Sequence, residues 1–124
     1  MRRITIALAG MTLLVGQAIA GQADVLDATA QCDAARVCRL EVTVRHADAG
    51  WDHYADAWEV LAPDGRVLGT RTLLHPHVGE QPFTRTLDGV AVPAGLDHVR
   101  IRAHDSVHGF GGMEVRLPLA PPPH

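Results

Sequence analysis

The chain has 124 residues, and its 11 basic residues are all arginine, set against 14 Asp and Glu. A net acidic chain without lysine is a poor partner for nucleic acid, because neutralising phosphates takes clustered cations. Beyond the N-terminal segment no apolar run reaches the length that crosses a membrane.

The first segment reads as an export signal. Arg2 and Arg3 form a positive n-region, Ile4 to Val15 is a short apolar run, and Ala18-Ile19-Ala20 is a small-x-small cleavage site. Cleavage predicts a mature start near Gly21 or Asp24 and leaves about 104 residues, one small domain. The two signal arginines leave with it, so nine arginines face 14 acids for a mature net charge of −5. Residues 1–20 are thus a signal peptide, 21–119 a folded domain, and 120–124 a Pro-rich tail. No cysteine follows the apolar run in lipobox position, so no lipid anchor is expected. The expected location is periplasmic or secreted.

Residues 23–31 offer a first strand on a weak pattern. Cys32 and Cys38, spaced C-x5-C in an exported chain, predict a disulfide that closes a short loop, worth about 2–3 kcal/mol. A metal or redox pair would suit C-x2-C better. From Val37 to His46 apolar and polar residues alternate, with Leu40, Val42 and Val44 on one face. Ala47 to His53 is a loop, and Tyr54 to Ala62 a second strand carrying Trp58 and Val60. Pro63-Asp64-Gly65-Arg66 is a hairpin turn, since Pro presets φ and Gly accepts positive φ. Arg66 to Leu74 returns, His75 to Gln81 is a Pro/Gly loop, and Pro82 to Leu87 is a further strand. Asp88 to Asp97 is read as a connection with Val90 and Val92 tucked beneath. In Asp97 to Asp105, Val99, Ile101 and Ala103 point in, while His98, Arg100, Arg102 and His104 point out. Ser106 to Gly112 is a loop. Met113 to Leu119 is the last strand, with Met113, Val115, Leu117 and Leu119 inward.

Six or seven short strands without a helical period predict an all-β fold, a single antiparallel β-sandwich. The stretch Phe83 to Gly112 resembles the later half of fibronectin type III and immunoglobulin-like domains, which implies that type of sandwich. The mature chain also resembles small exported bacterial proteins of unassigned function, through G-W-D-H-Y-A-D-A-W-E-V (50–60), H-P-H-V-G-E-Q-P-F-T-R (75–85) and A-H-D-S-V-H-G-F-G-G (103–112). That resemblance implies no activity.

Eight histidines are dispersed through the mature chain. If successive strands run antiparallel, the connections 46–53, 75–81 and 105–112 share one end, here called upper. His46, His53, His75, His77, His104 and His108 lie in or beside them. His98 falls at the lower end and His124 in the tail. Imidazole and carboxylate are ligands for Zn and Cu, so the expected metal set is those six histidines with Asp52 and Asp105. His75 and His77 form an extended pair, and His104 and His108 flank one loop. Trp51, Tyr54 and Phe110 are expected to plug the upper end, and Arg100, Arg102 and Arg116 to form a solvated, ion-paired face.

Three readings compete. The first is a non-catalytic periplasmic protein that binds Cu or Zn. The second is an interaction module whose upper loops dock another periplasmic protein, the histidines being structural. The third is a redox metalloenzyme: His75-Pro76-His77 is similar to the H-x-H pair of copper–zinc superoxide dismutases, though Pro intervenes and their long zinc loop is lacking. Nucleophilic catalysis has little support. Ser106 is the only serine, no G-x-S-x-G surrounds it, and neighbours on a strand face opposite ways.

Overall fold

The computed structural model describes residues 21–120. The expected signal peptide, residues 1–20, and the end of the tail with His124 lie outside the described residues. The described chain is all-β: β1 (Asp24–Cys32), β2 (Val37–Arg45), β3 (Ala55–Leu61), β4 (Val67–Thr72), β5 (Phe83–Ala91), β6 (His98–Asp105), β7 (Gly109–Phe110) and β8 (Val115–Pro118). Two antiparallel sheets form, one ordered β1-β2-β5 and the other β4-β3-β6, with β7 and β8 pairing in turn along the free edge of β6. Among the described residues no helix is long and apolar enough to cross a membrane.

The inner stripes of the two sheets make the core. Val42, Val44, Trp58, Val99 and Ile101 are buried as their parity predicts, joined by Leu40, Val60, Phe83, Val90 and Val92. The C-x5-C pair is a disulfide, and Cys32 and Cys38 stand opposite one another where β1 turns into β2. On the outer face Arg100 pairs with Glu114 at 2.8 Å and Arg102 with Glu59 at 2.9 Å, while Arg116 reaches His98 at 3.3 Å instead of a carboxylate.

Several expectations need correction. Residues 24–32 form a full strand; their pattern is faint because the register slips between Val25 and Asp27 and two inner positions are only alanine. The strand expected to stop at Leu87 runs to Ala91, its register against β2 shifting between Cys38 and Leu40. The expected loop 106–112 holds a two-residue strand, β7, paired with the upper end of β6, and the expected strand 113–119 shortens to β8, paired with the lower half of β6. As an edge, β8 leaves Val115 and Leu117 only partly buried, and Met113 is exposed. Trp51 is no plug either: it is 67% exposed and packs edge-on against Tyr54. Phe110 lies outside the sandwich, with the Arg102 guanidinium 3.8 Å above its ring.

The strand directions place the N-terminal segment at the upper end, because Asp24 pairs with Arg45. Two contacts fasten it there. Val25 N donates to Met113 O at 2.8 Å, and Met113 N donates to Asp24 Oδ1 at 2.7 Å. Gly112 makes this approach possible, since a Cβ at that position would overlap the Ala23 carbonyl.

Candidate metal centre

Each facing inner stripe ends on a polar residue at the upper pole. On β2 the alternation Leu40, Val42, Val44 continues to His46; on β6, Val99, Ile101, Ala103 continue to Asp105. Both residues therefore point inward, His46 at 2% exposure and Asp105 at none. They meet across the sandwich, His46 Nε2 lying 3.3 Å from Asp105 Oδ2.

Asp105 is the centre of the arrangement. Its Oδ1 accepts from the backbone N–H groups of Val107 and His108 at 2.7 and 2.6 Å, capping its own turn. His108 Nδ1 donates to Oδ2 at 3.0 Å. His53, from the connection between β2 and β3, brings Nε2 to 3.5 Å from Oδ1. Three imidazoles thus border one buried carboxylate. Ligand atoms of His46, His53 and Asp105 lie within 4.8 Å of one another, a donor set that could hold a metal ion. Burial pushes the Asp105 carboxyl pKa up, but the backbone N–H groups of His108 and Val107, the His108 ring and the His46 charge outweigh it, holding the group at about 2 against an ordinary 3.8.

Asp48 orients this set. Its Oδ1 accepts from His46 Nδ1 at 2.5 Å and from Ala55 N at 3.0 Å, and its Oδ2 accepts from His77 N at 2.6 Å. The Nδ1 bond fixes the His46 ring with Nε2 turned to the pole, the carboxylate–histidine pairing that supports a ligating imidazole from behind. Gly21 O accepts from His46 Nε2 at 2.8 Å and from His53 Nε2 at 3.1 Å. Because a carbonyl only accepts, both nitrogens carry protons in this arrangement, and each proton must leave before either ring ligates a metal.

The remaining expected ligands stand apart from Asp105, although the His75 and His77 rings meet with centroids 4.7 Å apart. His104 points outward as its parity requires; its Nδ1 bonds Asp56 Oδ1 at 2.5 Å and its ring meets Phe110 edge-on. His75 is exposed, with Nδ1 3.1 Å from its neighbour's carbonyl at Pro76. His77 is buried and stacks on Phe83 at 4.1 Å, and among the described residues neither ring nitrogen has a hydrogen-bond partner. Burial lowers its pKa, with further lowering from Arg85 and His75. Asp52 is exposed and outside the cluster. Asp48, an acid of the first upper connection, stands outside the expected ligand set although it orients His46; Gly21 was legible only through the direction of β1.

No protein-family model and no solved structure matches the chain. Over 94 residues it is 44% identical to a protein of Halomicrobium mukohataei described as a "Putative lipoprotein", a match covering 76% of this chain and 46% of that protein. The chain thus spans about half the length of that relative.

Proposed function

We propose that this is a non-catalytic exported binding protein that takes up Cu(II) or Zn(II) at its upper pole. The observation that carries the reading is the convergence of His46 and His53 on the buried Asp105 carboxylate, their ligand atoms within 4.8 Å. The Asp48–His46 bond supports it, since a ligating histidine needs its second nitrogen held. With both cysteines consumed in the disulfide, the donors are imidazole nitrogen and carboxylate oxygen, which suit Zn(II) and Cu(II). His108 holds Asp105 in place. The signal-like N-terminus, the disulfide and the lipoprotein relative support export to the periplasm or cell exterior. The sandwich is of the immunoglobulin or fibronectin III type: strands A, B and E of such domains pair in one sheet and C, F and G in the other. Here β1-β2-β5 and β3-β6-β7/β8 take those places, with β4 added to the second sheet.

Calorimetric titration of tag-free protein with Cu(II), Zn(II) and Ni(II) tests the metal. One ion per chain is expected for Cu(II) or Zn(II). His53→Ala weakens binding at least tenfold, whereas His75→Ala and His98→Ala leave it unchanged. Heat of binding absent for all three ions would defeat the reading.

A second reading rests on a separate observation. Trp51, Leu74, Val78 and Val107 are 67%, 76%, 63% and 58% exposed, and all lie in upper connections. Such an apolar rim suits docking of another exported protein, with the His/Asp cluster serving as the rigid floor beneath it.

A further inference from the structure

Gly21 is the residue that follows the small-x-small sequence Ala18-Ile19-Ala20, and it lies against the proposed metal ligands. Its carbonyl is bonded to His46 Nε2 and His53 Nε2 at 2.8 and 3.1 Å. Its φ is +93°, and a Cβ there would stand 2.8 Å from His108 Cε1 and 3.3 Å from His53 Cε1. A side chain here would crowd both rings, so the position favours glycine. Within one residue the amide nitrogen and the carbonyl oxygen are never more than about 3.6 Å apart. The Gly21 nitrogen therefore lies within about 3.6 Å of the oxygen that both imidazoles contact.

We infer that export completes the metal site: cleavage between Ala20 and Gly21 turns the Gly21 nitrogen from a peptide nitrogen into a terminal amine, which joins His46, His53 and Asp105 as a ligand. The inference rests on the metal reading above. The chemistry separates the two forms of the chain sharply. Hydrolysis of the Ala20–Gly21 peptide bond consumes one water and leaves a carboxylate on Ala20 and an amine on Gly21. A peptide nitrogen has no available lone pair, because it is delocalised into the carbonyl. A terminal amine keeps its lone pair on nitrogen and can offer it to a metal ion in exchange for a proton. The precursor would thus lack one donor, and the ion would be held firmly only after export. The amine's donor character matches the imidazoles and favours Cu(II) over Mg(II) or Ca(II).

The absence of lysine makes the test clean, since mild acylation at neutral pH finds one amine in the mature chain. The full precursor is expressed in a bacterial host and the exported form is purified without a tag. Its N-terminus is read by intact mass. Cu(II) affinity at pH 7.5 is then compared for this protein, its N-acetylated form, and a form that begins with one extra alanine before Gly21. The nitrogen hyperfine pattern of bound Cu(II) is recorded for each. The expected mass is that of a chain starting at Gly21, and the two blocked forms should bind at least tenfold more weakly and lose one nitrogen donor from the Cu(II) spectrum. In His53→Ala, blocking the amine should matter much less, because amine and imidazole share one ion. Equal affinity of blocked and free forms would overturn the amine ligand while leaving the histidine site standing. So would an unchanged blocking effect in His53→Ala, or a mature start at Asp24. Failure of every form to bind Cu(II) would overturn the metal reading and this inference with it.

Discussion

At the residue scale, the pole depends on keeping Asp105 ionised out of water. A buried carboxylate is tolerated only when its oxygens are met by donors, and the two backbone N–H groups and the imidazoles supply them. Because its pKa is lowered from 3.8 to about 2, the ionised form favours the folded state. That contribution is complete above roughly pH 4 and is lost as pH falls towards 2, and it amounts to about 2 kcal/mol. Urea unfolding of metal-free protein should therefore show a midpoint that drops between pH 4 and pH 2. Asp105→Asn should be less stable at neutral pH and flatter across that interval. A wild-type profile no steeper than that of the variant would mean that Asp105 is not held ionised in the fold. The residue scale also shows why some expected ligands lie apart. Parity on β6 points Ala103 and Asp105 in and His104 out, so grouping His104 with the ligands went against the strand's own alternation. His46, two positions beyond Val44, followed its stripe correctly. Asp52 and His75 sit in loops, where no period indicates direction; a place in the upper connections, and for His75 its spacing from His77, brings them into the set.

At the scale of elements, strand pattern was legible where large apolar residues alternate without interruption. β2 and β6 are of this kind, and their inner residues are buried throughout. β1 was faint because a bulge breaks its alternation and alanine gives little apolar contrast. That faintness hid the N-terminal segment's destination, since only an antiparallel β1 carries Gly21 to the upper pole. β5 was cut short because Gly89, at φ +72°, looks like a turn in sequence but lies within the strand in space. The clean strand also gives a clean test. Ile101 is fully buried between the sheets, so Ile101→Ala should cost about 2–5 kcal/mol of unfolding free energy through lost transfer and the cavity left behind. Val115→Ala, on the partly buried edge strand β8, should cost clearly less. Comparable losses at the two positions would mean that the edge is packed as tightly as the centre.

At the scale of the molecule, the candidate ligands come from different parts of the fold. His46 ends the last turn of the alternation on β2 in one sheet, Asp105 ends β6 in the other, and His53 belongs to the connection that crosses between them. An ion held by all three ties the sheets together at the upper end, as the disulfide ties β1 to β2 at the lower end. Unfolding scatters those donors, so metal binding must raise the stability of the whole domain. At a free metal concentration one hundred times the dissociation constant the gain is about 2.7 kcal/mol, which in a domain of this size raises the melting temperature by roughly 10–20 °C. The shift should shrink as pH falls, because a ring must give up a proton to ligate, and it should grow with the logarithm of metal concentration. His53→Ala is the informative variant, because its side chain is about one quarter exposed and its loss leaves the core intact. It should abolish most of the shift, while His98→Ala, at the opposite end beside Asp97, should keep all of it. A scanning calorimeter run with Cu(II) and Zn(II) at pH 7.5 and 5.5 reads every arm of this prediction. An equal shift in both variants would place the ion somewhere other than this pole. No shift in any protein would leave the upper end as a rigid, hydrogen-bonded floor beneath the apolar rim of Trp51, Leu74, Val78 and Val107.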